Sequence, residues 1–243
     1  GNATAYAHPL DADLVERTPA AVEEFHAFQR ENFEQWEMPT ATREELIQFI
    51  STEDRFFSEN ASVKHATDGE MLAGGGHEFT ARLTPGHTAG HIAFEFEHEG
   101  NHVALIGDTL LPKYTPNVGG ADIRVDDPLD TYLDTLEWVI EQEFDYVFPG
   151  HRTRIDDPAG RAREIRDHHQ ERTKRVINVL AERGPTDPWT IGVQLFGEMD
   201  GIHAVHGPGE VYAHLDYLER RDVVTSDGGQ YTLVDSPESV TID

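Results

Sequence analysis

Three apolar segments of this chain each end at a glycine and then present a side chain able to ligate a metal. Phe79, Ala81 and Leu83 alternate into Pro85-Gly86-His87, Val103 to Ile106 run into Gly107-Asp108, and Tyr146 to Phe148 run into Pro149-Gly150-His151. Apolar runs of this length bounded by glycine and proline read as strands, and a Pro-Gly pair stops a strand while exposing the next residue. Three strand ends brought together with two imidazoles and one carboxylate make an N/O donor set suited to zinc or a similar divalent ion.

The order Pro85-Gly86-His87-Thr88-Ala89-Gly90-His91, strand-Gly107-Asp108-Thr109-Leu110, strand-Pro149-Gly150-His151 resembles the later metal motifs of the metallo-β-lactamase-fold hydrolases, the superfamily that includes glyoxalase II and several nucleases. The resemblance implies that His87 binds one metal, Asp108 bridges two, and His151 binds the second, with zinc as the expected ion. Asp108 and His91 are then the catalytic candidates, His91 acting from behind the ligands. Lys113 and Asn117, in the loop after Asp108, are candidates to meet an anionic or polar substrate group. The implied chemistry is attack of metal-bound hydroxide on a thioester or ester, as in a hydroxyacylglutathione hydrolase. The family's opening motif, His-x-His-x-Asp-His, does not occur in the sequence. Without it each ion keeps two protein ligands where a catalytic zinc site has three. This chain alone is therefore expected to hold metal weakly and to be inactive, with a longer parent as the hydrolase.

Charge narrows the partners. There are 46 acidic residues against 19 basic ones, a formal charge of -27, and lysine occurs only at 64, 113 and 174. An acid excess spread along the whole chain reads as a salt-adapted, halophilic surface, where concentrated ions screen self-repulsion. Phosphate contact needs clustered lysine and arginine, so nucleic acid is not the expected partner and a small-molecule substrate is. With no cysteine, disulfides and thiolate chemistry are excluded. No apolar run reaches the roughly 18 residues that span a membrane, and the expected location is the cytoplasm. Asn60-Ala61-Ser62 matches a glycosylation acceptor, which in that setting is a chance match.

The predicted fold class is α/β (α+β): a partial metallo-β-lactamase αββα sandwich over residues 1–160, N-terminally incomplete, followed by a small winged-helix domain over 161–243. Residues 1–10 read as a strand around Ala5-Tyr6-Ala7. Thr18-Pro19 opens a helix with Phe33 and Trp36 on its apolar stripe, and Thr42 with Glu45 forms a capping box for a second. These two helices read either as a lid or as ordinary packing. Ile92 to Glu97 alternates as a half-buried strand. Asp127-Pro128 opens a helix with Tyr132, Leu136 and Val139 inward. Beyond a boundary near Asp157-Pro158, a long polar helix places His168-His169 toward solvent. Asp187-Pro188 caps the next, Gly207-Pro208-Gly209 precedes the third, and a hairpin turns at Ser226 to Gly229.

The C-terminal part resembles the winged-helix extension of one branch of the same superfamily, which includes a mitochondrial endoribonuclease. An endoribonuclease and a noncatalytic degenerate relative therefore stand as alternatives. The third helix carries Glu210, Asp216 and Glu219 and the hairpin offers Asp227 without a basic residue, so the module reads as a cover or a homodimerisation element rather than a DNA reader.

Overall fold

The computed structural model describes residues 4–53, 62–120 and 122–235, with side chains of 50–53 excluded; Asn60 and Ala61 of the glycosylation match lie outside them. In chain order the elements are β1 (Ala5–Ala7), α1 (Pro9–Val15), α2 (Pro19–Gln35), α3 (Thr40–Glu53), β2 (Val63–His65), β3 (Met71–Gly74), β4 (His77–Leu83), β5 (Ile92–His98), β6 (Asn101–Gly107), α4 (Pro128–Glu141), β7 (Tyr146–Pro149), α5 (Pro158–Arg183), α6 (Pro188–Phe196), α7 (His203–Glu219), β8 (Val224–Asp227) and β9 (Gln230–Leu233). The mixed α/β class read from the sequence is the class observed.

The chain divides into two compact units, neither continuous in sequence. One comprises Gly1–Val22, Asn60–Pro116 and Asp130–Asp167, the other Glu23–Glu59, Asn117–Leu129 and His168–Asp243. The division drawn from sequence at 160/161 falls within the first turn of α5.

The first unit is built on a five-stranded sheet of order β3-β4-β5-β6-β7. Neighbours from β3 to β6 are antiparallel, and β6 pairs with β7 in parallel. Two reversals restore direction, so β4, β6 and β7 all run the same way and their C-terminal ends lie at one edge. This is why three separate sequence segments deliver their terminal residues to one place. Ala93, Glu95, Ala104, Ile106 and Val147 are buried along one face. On the other, Phe94, Leu105 and Phe148 stand opposite one another in register, with Leu105 and Phe148 41% and 37% exposed. The alternation expected for β5 is present, but Ala93 and Glu95 are its buried residues rather than the phenylalanines. Glu95 tolerates that position because Arg82 Nε lies 3.1 Å from its carboxylate.

In the second unit, Phe33, Trp36, Met38 and Leu46 form one apolar cluster with Met199, Ala204 and Val205. Phe33 and Trp36 are thus packing residues, whereas Phe28 on α2 and Phe49 on α3 are 40% and 46% exposed. Asp187 caps α6 by accepting from Thr190 N at 2.7 Å, and the β8–β9 hairpin is extended by a bridge between Thr186 and Tyr231. Among the described residues no helix is long and apolar enough to cross a membrane.

Four local expectations are corrected. The N-terminal strand stops at Ala7, and Pro9–Val15 is helical because His8 caps it, its Nδ1 accepting from Leu10 N at 3.3 Å, with proline at the first position. The second early helix starts at Thr40, with Arg43 N donating to Pro39 O, so Thr42 is inside it and forms no capping box. His169 is buried rather than solvent-facing, 1% exposed. Gly207-Pro208-Gly209 lies inside α7 instead of ahead of it. A Cβ on Gly207 would come 2.3 Å from Met199 Sδ, and one on Gly209 would come 2.3 Å from Gly120 Cα. These glycines therefore permit close contact and do not break the helix.

That distinction fixes a sign. Alanine normally stabilises a helix interior over glycine by about 0.5–1 kcal/mol. Gly209→Ala, meeting backbone, is expected to destabilise by about 1–3 kcal/mol as an overpacked site does, which urea unfolding of the variant will measure.

Candidate functional site

The turn from Thr84 to His91 is closed by Thr84 N donating to His91 O at 2.8 Å. Three anchors from elsewhere in the same unit hold it. Asp11, on α1, accepts from Thr88 Oγ1 through Oδ2 at 2.6 Å and from Gly90 N through Oδ1 at 3.1 Å. Thr135 Oγ1, on α4, donates to Pro85 O at 2.8 Å. Gly86 lies against Tyr132, where a Cβ would come 2.6 Å from the tyrosine Cβ. The Tyr132 hydroxyl donates to Thr109 O at 2.8 Å, immediately after Asp108. Gly150 N donates to Gly107 O at 2.8 Å, tying the end of β7 to the end of β6.

His91 connects the first two strand ends. The Asp108 backbone N–H donates to His91 Nε2 at 3.0 Å, so that nitrogen presents its lone pair inward and the proton of the neutral ring sits on Nδ1. Nδ1 lies 2.7 Å from Thr84 Oγ1, whose hydroxyl turns to His91 O at 3.4 Å, and 3.3 Å from Thr109 Oγ1. Burial, reinforced by His87, lowers the His91 pKa to about 4, although Asp108 and Asp11 pull it upward. The ring is therefore neutral at pH 7 and is occupied by backbone and hydroxyl partners. Gly107 must be glycine here: its φ is 54° and a Cβ would come 2.5 Å from His91 Nε2.

His87, Asp108 and His151 come together. His87 Nε2 and His151 Nε2 lie 3.6 and 3.5 Å from the same carboxylate oxygen, Asp108 Oδ2. Both separations exceed a good hydrogen bond. The other oxygen, Asp108 Oδ1, is buried with no hydrogen-bond partner among the described residues. A carboxylate short of donors and facing two imidazole nitrogens is the chemistry a divalent cation completes, so the donor set fits a metal of the zinc class. His151 is the open side, with 70% of its side chain exposed against 24% for His87. Lys113 Nζ lies 5.5 Å from the centre of the exposed Tyr114 ring. In the second unit, Asn117 bonds to backbone groups, its Oδ1 accepting from Gly120 N at 3.1 Å and its amide donating to His206 O at 3.3 Å.

Sequence reasoning misses Asp11, Thr84 and Tyr132. For Asp11 no signal exists, since its partner Thr88 is 77 residues away. The sequence pattern turns Tyr132 inward, but nothing local marks its hydroxyl.

Comparison with known proteins identifies the family. Residues 11–151 match the model of the Metallo-beta-lactamase superfamily. The lactamase-like protein aptB of Emericella nidulans is 29% identical over 123 residues, 51% of this chain and 37% of that protein. An atrochrysone carboxyl ACP thioesterase of Aspergillus chevalieri is 30% identical over 115 residues, 47% of this chain and 34% of that protein. The crystal structure of a metallo-beta-lactamase family protein from Thermus thermophilus superposes with a TM-score of 0.74 at 28% identity, covering 95% of this chain and 72% of that one. The chain thus spans little more than a third of the length of these two curated relatives.

The Asp11–Thr88 bond makes a measurable claim. Asp11→Ala and Thr88→Val should each cost about 1–3 kcal/mol in chemical denaturation, the range for a hydrogen bond to a charged group. The double variant should cost less than their sum because both remove one bond; strict additivity would show that the two residues do not act through it.

Proposed function

Because the chain belongs to the metallo-beta-lactamase superfamily, we propose that it is the ligand-bearing part of a metal-dependent hydrolase acting on a thioester or ester. The observation that carries this is the Asp108 carboxylate, one oxygen buried without a donor and the other facing His87 and His151. The Aspergillus chevalieri relative is a thioesterase by name, which supports the substrate class. His87, Asp108 and His151 are the residues that would hold zinc, the imidazoles as neutral nitrogen donors and the carboxylate between them. When bound, a divalent ion supplies Lewis-acid polarisation of the scissile carbonyl and brings the pKa of water to about 7.

The chain's own residues set the geometry for that chemistry. His91 is a positioning residue: it holds the Asp108 backbone through Nε2 and so aims the carboxylate. Tyr132 fixes the following peptide, and burial raises its pKa far above that of free tyrosine, so its hydroxyl stays a donor. Lys113 offers a cation beside the loop after Asp108 to a polar or anionic part of the substrate. We read α5 to β9 as a winged helix that does not serve phosphate contact, since Arg220 at the end of α7 is taken up by Asp216 and Asp126 at 2.8 and 2.9 Å.

In a protein that joins this chain to a His-x-His-x-Asp-His segment, Asp108→Asn should lower kcat/KM for an acyl thioester on the order of 100-fold or more, the scale of several kcal/mol of lost charge stabilisation. Chelation should abolish the same activity and zinc restore it. Thioester and single-stranded RNA hydrolysis are assayed side by side: cleavage of RNA alone, or thioester turnover indifferent to chelator, overturns the proposal.

A further inference from the structure

The second unit holds a group of histidines that the proposed reaction does not use. His169 on α5 and Glu210 and His214 on α7 bring one ligand atom each within 4.8 Å of one another, the one group of three His, Asp or Glu side chains this compact among the described residues. The His87, Asp108 and His151 arrangement is looser, its two imidazole nitrogens lying 3.6 and 3.5 Å from one carboxylate oxygen. Glu210 and His214 stand four residues apart on α7, a spacing that puts both on one helix face. His169 and His214 are 1% and 0% exposed.

Hydrogen bonding fixes which nitrogen faces inward. Thr173 Oγ1 donates its only proton to His169 O at 2.9 Å. The same oxygen lies 2.7 Å from His214 Nδ1, so it must accept there, and His214 carries its proton on Nδ1. His214 Nε2 is then a lone pair, and it points at His169 Nδ1 across 3.4 Å. Two zinc–nitrogen bonds of about 2.0–2.1 Å at a tetrahedral angle place their nitrogens about 3.3–3.4 Å apart. Glu210 Oε1 accepts from Arg172 Nη1 at 2.7 Å, which leaves its second oxygen for an ion. A hydroxyl on the outer nitrogen of one histidine and a guanidinium on the outer oxygen of the carboxylate form the supporting shell that orients metal ligands. Burial keeps both imidazoles neutral.

We propose that His169, His214 and Glu210 form a second divalent-metal site of the zinc class, separate from the residues proposed to carry the reaction, joining α5 to α7. Its three protein ligands leave a fourth position, and its effect is to cross-link two helices of the second unit.

The test uses the full chain carrying Asp108→Ala, which disables the first donor set, so the outcome is independent of the hydrolase reading. After chelator treatment and dialysis, zinc or cobalt(II) is titrated in. One ion per chain is expected by elemental analysis, with the visible absorption of four-coordinate cobalt and a melting temperature that rises with metal concentration. Adding Glu210→Gln, which preserves shape and the Arg172 hydrogen bond, should abolish uptake, and Thr173→Val should weaken it roughly 10–100-fold. No uptake by the Asp108→Ala chain overturns the proposal and leaves a direct imidazole–imidazole hydrogen bond as the role of the pair. Uptake unchanged by Glu210→Gln overturns it as well.

Discussion

A neutral imidazole held between two strand ends is the interaction on which the candidate centre depends. His91 accepts the Asp108 N–H at 3.0 Å and meets Thr84 Oγ1 at 2.7 Å, so it joins the end of β4 to the end of β6. Its hydroxyl partners Thr84 and Thr109 are 2% and 1% exposed, which shields that side of the ring from water. Burial, which lowers the His91 pKa to about 4, is what keeps the lone pair available for the backbone amide. A protonated ring would place a donor against a donor and lose the bond that positions Asp108. The second glycine motif follows from this contact: Gly107 is required because the His91 ring occupies the space of a Cβ.

The same economy of space runs through the chain. Gly86 admits Tyr132, Gly107 admits His91, and Gly209 admits the backbone of Gly120. In each case a segment that looks like loop punctuation in one dimension is a point of close approach in three. This explains why glycine signals are reliable at the strand ends and misleading in α7. At a strand end the glycine both stops the ladder and permits contact, so either reading gives the correct boundary. In the Gly207-Pro208-Gly209 stretch only the contact exists, and the helix continues through it.

The two histidine groups illustrate how context separates similar chemistry. His87 and His151 face a carboxylate at a sheet edge, and His151 is largely exposed, which fits the substrate access that the proposed reaction needs. His169 and His214 are enclosed between helices with a threonine fixing one tautomer. An open arrangement suits chemistry and a closed one suits a structural tie, because an enclosed ion has little room for substrate.

By itself the sequence determined the strands that end at Leu83, Gly107 and Pro149, the mixed α/β class, the helices opened by Pro19, Pro128 and Pro188, and the final hairpin. These are local signals, since apolar period, proline and glycine act on their own backbone. It also marked His87, Asp108 and His151 as candidates to act together, because each follows a strand stop in an order that resembles one superfamily's motifs; that they meet was decided by the fold, in which β4, β6 and β7 run the same way. Only the tertiary structure decided which face of β5 is buried, that His169 is enclosed on a helix that reads as polar, and that Asp11 anchors the His87 turn across 77 residues. Those outcomes depend on which surfaces meet after the chain has folded, and side-chain partners far apart in sequence leave no periodicity for a local reading to find.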